Sequence, residues 1–200
     1  MKLVLATHNK DKVFELRVLL KNEPVILLTF DDFPGMPEVI EEGKTLEENA
    51  LKKATQIYHY TGLPVLSDDT GLEVIALDGA PGVMSSRYAG ESVTYAQNVE
   101  KLLREMSDIP EEQRGACFRT VMVYFDGKKK LITEGKVCGY ILKETRGDGG
   151  FGYDPVFYYP PLKKTFAEMT REEKNHISHR GQALFKMIQA LRNNNIFMEV

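Results

Sequence analysis

Ser67-Asp68-Asp69-Thr70-Gly71-Leu72 sets two adjacent carboxylates between two apolar runs, Leu63-Pro64-Val65-Leu66 ahead of it and Leu72-Glu73-Val74-Ile75-Ala76-Leu77 behind it. A short apolar run bounded by Gly62 and an Asp/Thr/Gly turn reads as a buried strand. The pattern predicts a strand over 63–66, a turn carrying the acids, and a second strand over 72–77. In open α/β sheets ligands collect outside the carboxyl ends of strands, which places Asp68 and Asp69 at the edge of a site. Hard oxygen ligands there can hold Mg²⁺ beside a phosphate chain. Taken alone, the same residues read first as an Asx turn, with the carboxylates capping nearby N–H groups.

Outward from this stretch, the chain alternates strands and helices. Leu3-Val4-Leu5-Ala6 reads as a buried strand, and Val13, Leu16, Leu19 and Leu20 share one face of the helix that follows. Between them lies Thr7-His8-Asn9-Lys10-Asp11-Lys12, a polar turn at a helix start. Its unpaired N–H groups suit an anion, and a solvated cap with surface lysines fits equally well. After a strand over 25–30 comes a loop over 31–44, long enough to suggest work of its own, which ends near Glu41-Glu42. Thr45 and Glu48 form a capping box for a helix to about Tyr60, closed by Gly62 and Pro64. Lys53 on that helix reads by default as solvated.

A Gly/Pro-rich connection over 78–90 holds one cation, Arg87. Thr94 with Gln97 opens another helix, and two long strands over 116–125 and 130–142 join at Asp126-Gly127, a hairpin signal. Gly147, Gly149 and Gly152 spell a literal G-x-G-x-x-G. A dinucleotide site needs a helix to open there, whereas Pro155 and Val156-Phe157-Tyr158-Tyr159 follow, so that reading is rejected. The loop instead presents Phe151, by itself a plausible core plug, and Asp154. Thr170 and Glu173 give a further box, and Ser178 precedes a final helix with the stripe Leu184, Met187, Ile188 and Leu191. His179 and Arg180 fall in its first turn, where the macrodipole disfavours cations, so their placement points to a role other than helix stability.

The chain has 200 residues, 22.7 kDa and a formal net charge of −3, which suits one domain spanning 1–200 and argues against general duplex binding. No nucleic-acid or membrane partner is expected. The first residues are apolar for too short a run to be a signal peptide or a membrane span, so a cytoplasmic protein is expected, with Cys117 and Cys138 as reduced core thiols. No Walker sequence is present.

Together, Ala6-Thr7-His8-Asn9-Lys10, Ser67-Asp68-Asp69-Thr70-Gly71-Leu72, Gly79-Ala80-Pro81-Gly82, Gly149-Gly150-Phe151-Gly152-Tyr153-Asp154-Pro155 and Ser178-His179-Arg180-Gly181 resemble, in order, the inosine triphosphate pyrophosphatase (Ham1-like) family. The resemblance implies an elongated mixed α/β sheet flanked by helices, two lobes with a cleft between them, and a homodimer. It implies hydrolysis of ITP, dITP and XTP to the monophosphate and pyrophosphate, with Mg²⁺. Carried over by residue, it puts the triphosphate on Thr7, His8, Asn9, Lys10, Asp11 and Lys12, with Lys53 and Lys174 as further phosphate contacts. Asp69 becomes the general base, and Glu41, Asp69 and Asp68 the metal ligands. Phe151, Gly152, Tyr153 and Asp154 form the base loop, His179 and Arg180 read the base, and Thr70 and Arg87 complete the substrate set. The family often has Gly where His8 stands, and Glu42 could replace Glu41. A Maf-like pyrophosphatase acting on other nucleotides and a non-catalytic nucleotide-binding module are the alternatives.

Overall fold

The computed structural model describes residues 1–198. Along the chain run β1 (Lys2–Leu5), α1 (Lys10–Leu19), β2 (Ile26–Leu28), α2 (Leu46–Thr61), β3 (Val65–Val74), β4 (Pro81–Gly82), α3 (Tyr95–Glu105), β5 (Gly115–Phe125), β6 (Lys130–Ile141), β7 (Phe157–Tyr159), β8 (Lys164–Thr165), α4 (Arg171–Ile177) and α5 (His179–Asn193). The strands make one mixed sheet, ordered β2-β1-β3-β5-β6-β7-β8 with β4 beside β3. β1 is parallel to β2 and β3, an arrangement that needs crossover connections, and α1 and α2 lie in the two that are used. β4, β7 and β8 join by antiparallel pairing.

The acid pair is where the strand reading changes. No turn separates 63–66 from 72–77; β3 continues through Asp68 and Asp69 as ten extended residues, so the Asx turn does not form. Pairing explains why the sequence suggested a break. β1 pairs with β3 only at Val65 and Leu66, and β4 pairs with it at Leu72 and Glu73. The acids occupy the interval just past the carboxyl end of the parallel register, as the placement rule for open sheets anticipates. Gly71 is required there, because a Cβ would lie 2.6 Å from the Gly82 carbonyl oxygen.

Helix starts follow the sequence closely. Asn9 caps α1, accepting from the Asp11 and Lys12 N–H groups at 2.9 and 3.2 Å. Thr94/Gln97 and Thr170/Glu173 form complete capping boxes, each cap contributing about 1 kcal/mol. At α2 only half the predicted box forms. Thr45 accepts from the Glu48 N–H, but the Glu48 carboxylate reaches the Lys44 N–H at 2.6 Å instead. Gly62 ends that helix at φ 65°.

The chain divides into two compact units. The first comprises residues 1–69, 120–135 and 180 onward, with a core built on Leu3, Leu5, Leu16, Leu66, Met122, Leu184, Met187 and Leu191. The second comprises 70–119 and 136–179, with a core of Leu72, Val99, Leu102, Phe118, Val156, Phe157 and Phe166. In the second unit, Cys117 and Cys138 form a disulfide with Cα atoms 4.0 Å apart, correcting the expectation of reduced thiols. The pairing of their strands outweighs the compartment argument. Asp126 donates its N–H to the Lys129 carbonyl, and 117 and 138 are equidistant from that pair along β5 and β6.

Candidate active site

In the first unit, α2 turns Asn49, Ala50, Lys53, Ala54 and Ile57 inward. Lys53 is therefore 7% exposed rather than solvated, correcting its default reading. Its Nζ lies 2.5 Å from Glu41 Oε1 and 3.6 Å from Asp69 Oδ1, so acids from the long loop and from β3 share one ammonium. Burial alone would lower the Lys53 pKa, but Asp69, Glu41 and Asp68 together hold it above its ordinary value. Glu42 points elsewhere, to an exposed pair with Lys52 at 3.4 Å, which distinguishes it from Glu41.

Asp68 and Asp69 are adjacent, both buried, and electrostatically opposite. Burial would raise the Asp68 carboxyl, but Lys12 at 2.9 Å, then Arg180 and Lys53, outweigh it and hold the group well below the usual carboxylate range. Arg180, itself 2% exposed, brings Nε to 3.5 Å from Asp68 Oδ2 and pairs with Glu15 through Nη1. For Asp69, burial wins. With Glu41 adding to it, the carboxyl sits above its ordinary value despite Lys53, Lys12 and the Asn49 amide. Two carboxyls pushed apart by their surroundings are the usual mark of separate acid–base duties. Asp68 is held low by its cations, and Asp69 is held high by its burial.

The polar turn after β1 is ordered by its own side chains. Thr7 Oγ1 accepts from the Asn9 N–H at 3.2 Å, and the Asn9 cap takes two of the N–H groups considered for an anion. Lys10 and Asp11 are exposed, and Lys12 is half-buried against Asp68. His8 packs on Phe30 with ring centroids 3.6 Å apart, which gives its side chain a place the sequence had left open.

The second unit holds a separate cluster. Asp154 Oδ2 accepts from Lys174 Nζ at 2.6 Å and from the Phe151 N–H at 2.8 Å. Gly150 makes this possible, since at φ 72° a Cβ would stand 2.1 Å from that oxygen. The Lys174 ammonium lies 4.7 Å from the Phe151 ring centre, and Tyr95 flanks the same ring at 5.9 Å. Phe151 is half-buried and so is not a core plug. Tyr153 is buried and donates to the Ser85 carbonyl at 3.0 Å. Gly152 adopts φ 64° with open space where a Cβ would be. His179 is buried and stacks on Phe118 at 4.6 Å and 13°. Thr70 and Arg87 are half-buried, Arg87 ending a 3₁₀ turn. No helix opens at Gly147–Gly152, in keeping with the rejected dinucleotide site.

Asn49, Glu15, Phe118 and Tyr95 went unread in the sequence. Asn49 was the accessible one, four residues before Lys53 and so on the same helical face. The others depend on which elements pack together.

A family model described as the Ham1 family matches residues 3–190. A dITP/XTP pyrophosphatase of Geobacter sulfurreducens is 50% identical over 184 residues, 92% of each chain. One from Desulforamulus reducens is 49% identical over 201 residues, covering all of both chains. Among solved structures, a Ham1 protein of Coxiella burnetii superposes with a TM-score of 0.89 at 40% identity, covering 96% of this chain and 99% of that one. The Staphylococcus aureus Ham1 protein gives 0.87 at 34%, covering 97% of this chain and 100% of that one. A likeness this high, extending over the acid pair of β3 and the Lys53 helix that serves it, makes this chain a member of the Ham1 family.

Proposed function

We propose that the protein hydrolyses noncanonical purine nucleoside triphosphates (dITP, ITP and XTP) to the monophosphate and pyrophosphate, removing them from the nucleotide pool. The observation that carries the chemistry is the sharing of Lys53 by Glu41 and Asp69. Two carboxylates from separate segments already converge on one cation, and carboxylate oxygens are the donors Mg²⁺ prefers. Among the described residues no three acids are already gathered as a metal site; in this reading Glu41 and Asp69 would hold a divalent ion, with Asp68 beside them. When bound, Mg²⁺ offsets charge on the phosphate oxygens.

The chain's own residues supply the rest. Asp69, whose carboxyl is raised by burial, accepts the proton of the attacking water at the α-phosphorus. Lys10, Lys12 and Lys53, with the Thr7–Asn9 turn and Asp11 around them, bind the triphosphate, and Lys174 adds a further phosphate contact. Phe151 stacks on any purine, contributing about 1–3 kcal/mol without discrimination. His179 and Arg180 offer donors to a 6-oxo group. Adenine presents a donor there instead, and forfeiting that hydrogen bond costs about 1–3 kcal/mol. Gly152, Tyr153 and Asp154 shape the base loop, and Thr70 and Arg87 complete the substrate contacts.

The whole chain acts as one pyrophosphatase domain, as a homodimer, in the cytoplasm. Among the described residues no helix is long and apolar enough to cross a membrane. The deciding experiment incubates ITP, dITP, XTP, GTP, ATP, dUTP and TTP with and without Mg²⁺ and scores pyrophosphate and monophosphate. Rapid magnesium-dependent turnover of the first three is expected. Saturable binding without product, or preference for dUTP or TTP, would overturn the reading.

A further inference from the structure

The geometry points to Asn49 as a positioning residue that holds the two acids of the active site in register with one carboxamide; this rests on the pyrophosphatase reading above. Asn49 is completely buried on α2. Its Oδ1 accepts from the Gly43 N–H at 2.7 Å, and its Nδ2 donates to Asp69 Oδ2 at 3.1 Å. The two ends are not interchangeable. A backbone N–H can only donate, so Oδ1 faces Gly43 and the amino group faces Asp69. One end therefore tethers the loop two residues after Glu41. The other presents Asp69 Oδ2 with a donor, and Asp69 Oδ1 is the oxygen on the Lys53 side.

Gly43 belongs to the same device. A Cβ there would fall 2.6 Å from Asn49 Oδ1 and 2.8 Å from Glu48 Cβ, so only glycine lets the loop approach closely enough for the tether. Outer groups that orient ligating or reacting carboxylates typically change activity or metal affinity by about 10- to 100-fold when removed. Asn49 has the geometry of such a group toward Glu41 and Asp69 together.

Three variants separate the two bonds. Asn49→Asp keeps an acceptor for Gly43 but turns an acceptor toward Asp69; Asn49→Ala removes both bonds; Gly43→Ala crowds the tether and Glu48 Cβ while leaving the Asn49 amino group present. The readouts are kcat and KM for ITP, equilibrium Mn²⁺ binding by calorimetry, and amide hydrogen exchange at Gly43. In the wild type the Gly43 amide is expected to be strongly protected. Asn49→Asp should retain that protection and an ITP KM within about threefold, while kcat falls about 10- to 100-fold. Asn49→Ala and Gly43→Ala should lose the protection and weaken Mn²⁺ binding. An unprotected Gly43 amide in the wild type, or Asn49→Asp with kcat within about threefold of wild type, overturns the inference. A wild type that fails to hydrolyse ITP, dITP or XTP overturns the pyrophosphatase reading instead, and the exchange and Mn²⁺ arms still decide whether Asn49 joins the two acids.

Discussion

Lys174 Nζ stands 2.6 Å from Asp154 Oδ2, and neither side chain is as much as a tenth exposed. A pair this buried loses much of its attraction to desolvation, but removing one partner strands the other charge. Lys174→Ala or Asp154→Ala should each cost about 3–5 kcal/mol, and the double replacement Lys174→Met with Asp154→Leu should recover part of it. Urea denaturation of the four proteins measures both effects. The singles should also lose order at Phe151, whose N–H shares the Asp154 oxygen.

Asp69→Asn should remove detectable ITP hydrolysis and leave the fold intact. The neutral amide relieves the burial penalty that raises the Asp69 carboxyl, and Lys53 keeps Glu41 at 2.5 Å. Pyrophosphate release with Mg²⁺, read beside a thermal melt, checks both halves. Turnover near the wild-type rate would remove Asp69 as the base.

Asp126 gives a pH dependence whose sign can be worked out. Burial would raise this turn carboxylate, but the Lys129 and Lys128 N–H groups, at 2.7 and 2.9 Å, and the Tyr124 hydroxyl together outweigh it and hold the group below its ordinary value. A carboxyl depressed in the folded state adds stability above its unfolded pKa of about 3.9, and that stability is lost as pH falls through the folded value. Asp126→Ala should therefore be less stable than wild type at pH 7, with the gap narrowing below about pH 4. Denaturation midpoints at neutral and acid pH measure it.

Cys117 and Cys138 are the only cysteines in the chain. Purified without reductant and unfolded in an alkylating agent, the protein should take up no label. After reduction it should take up two labels and lose up to about 3 kcal/mol of stability, the scale for closing a loop of this size. Labelling of both thiols before reduction would contradict the linked pair.

What was readable in the chain was periodic or local. The Thr94 and Thr170 boxes, the hairpin at Asp126 and the Leu184–Met187–Leu191 stripe depend on residues a few positions apart, and each appears where its spacing put it. The errors are non-local. β3 runs unbroken because β4 and the neighbouring strands hold both of its halves, which no propensity at Thr70-Gly71 reveals. Lys53 was misjudged because lysine is rarely buried; only the arrival of Glu41 and Asp69 makes its burial tolerable. Arg180 stands in the first turn of α5, where the helix itself disfavours a cation. Arg180 is accounted for by Glu15 and Asp68, and His179 by Phe118.

His179 and Arg180 are joined by a single peptide bond, yet one side chain ends among aromatic rings and the other among carboxylates. Successive residues of an α-helix point about 100° apart, so this divergence is fixed by phase along α5. Inserting one residue ahead of α5 would shift both by a step, offering the imidazole to Asp68 and Glu15 and withdrawing the guanidinium from them. The spacing at this buried junction therefore constrains the chain as tightly as the identity of either side chain.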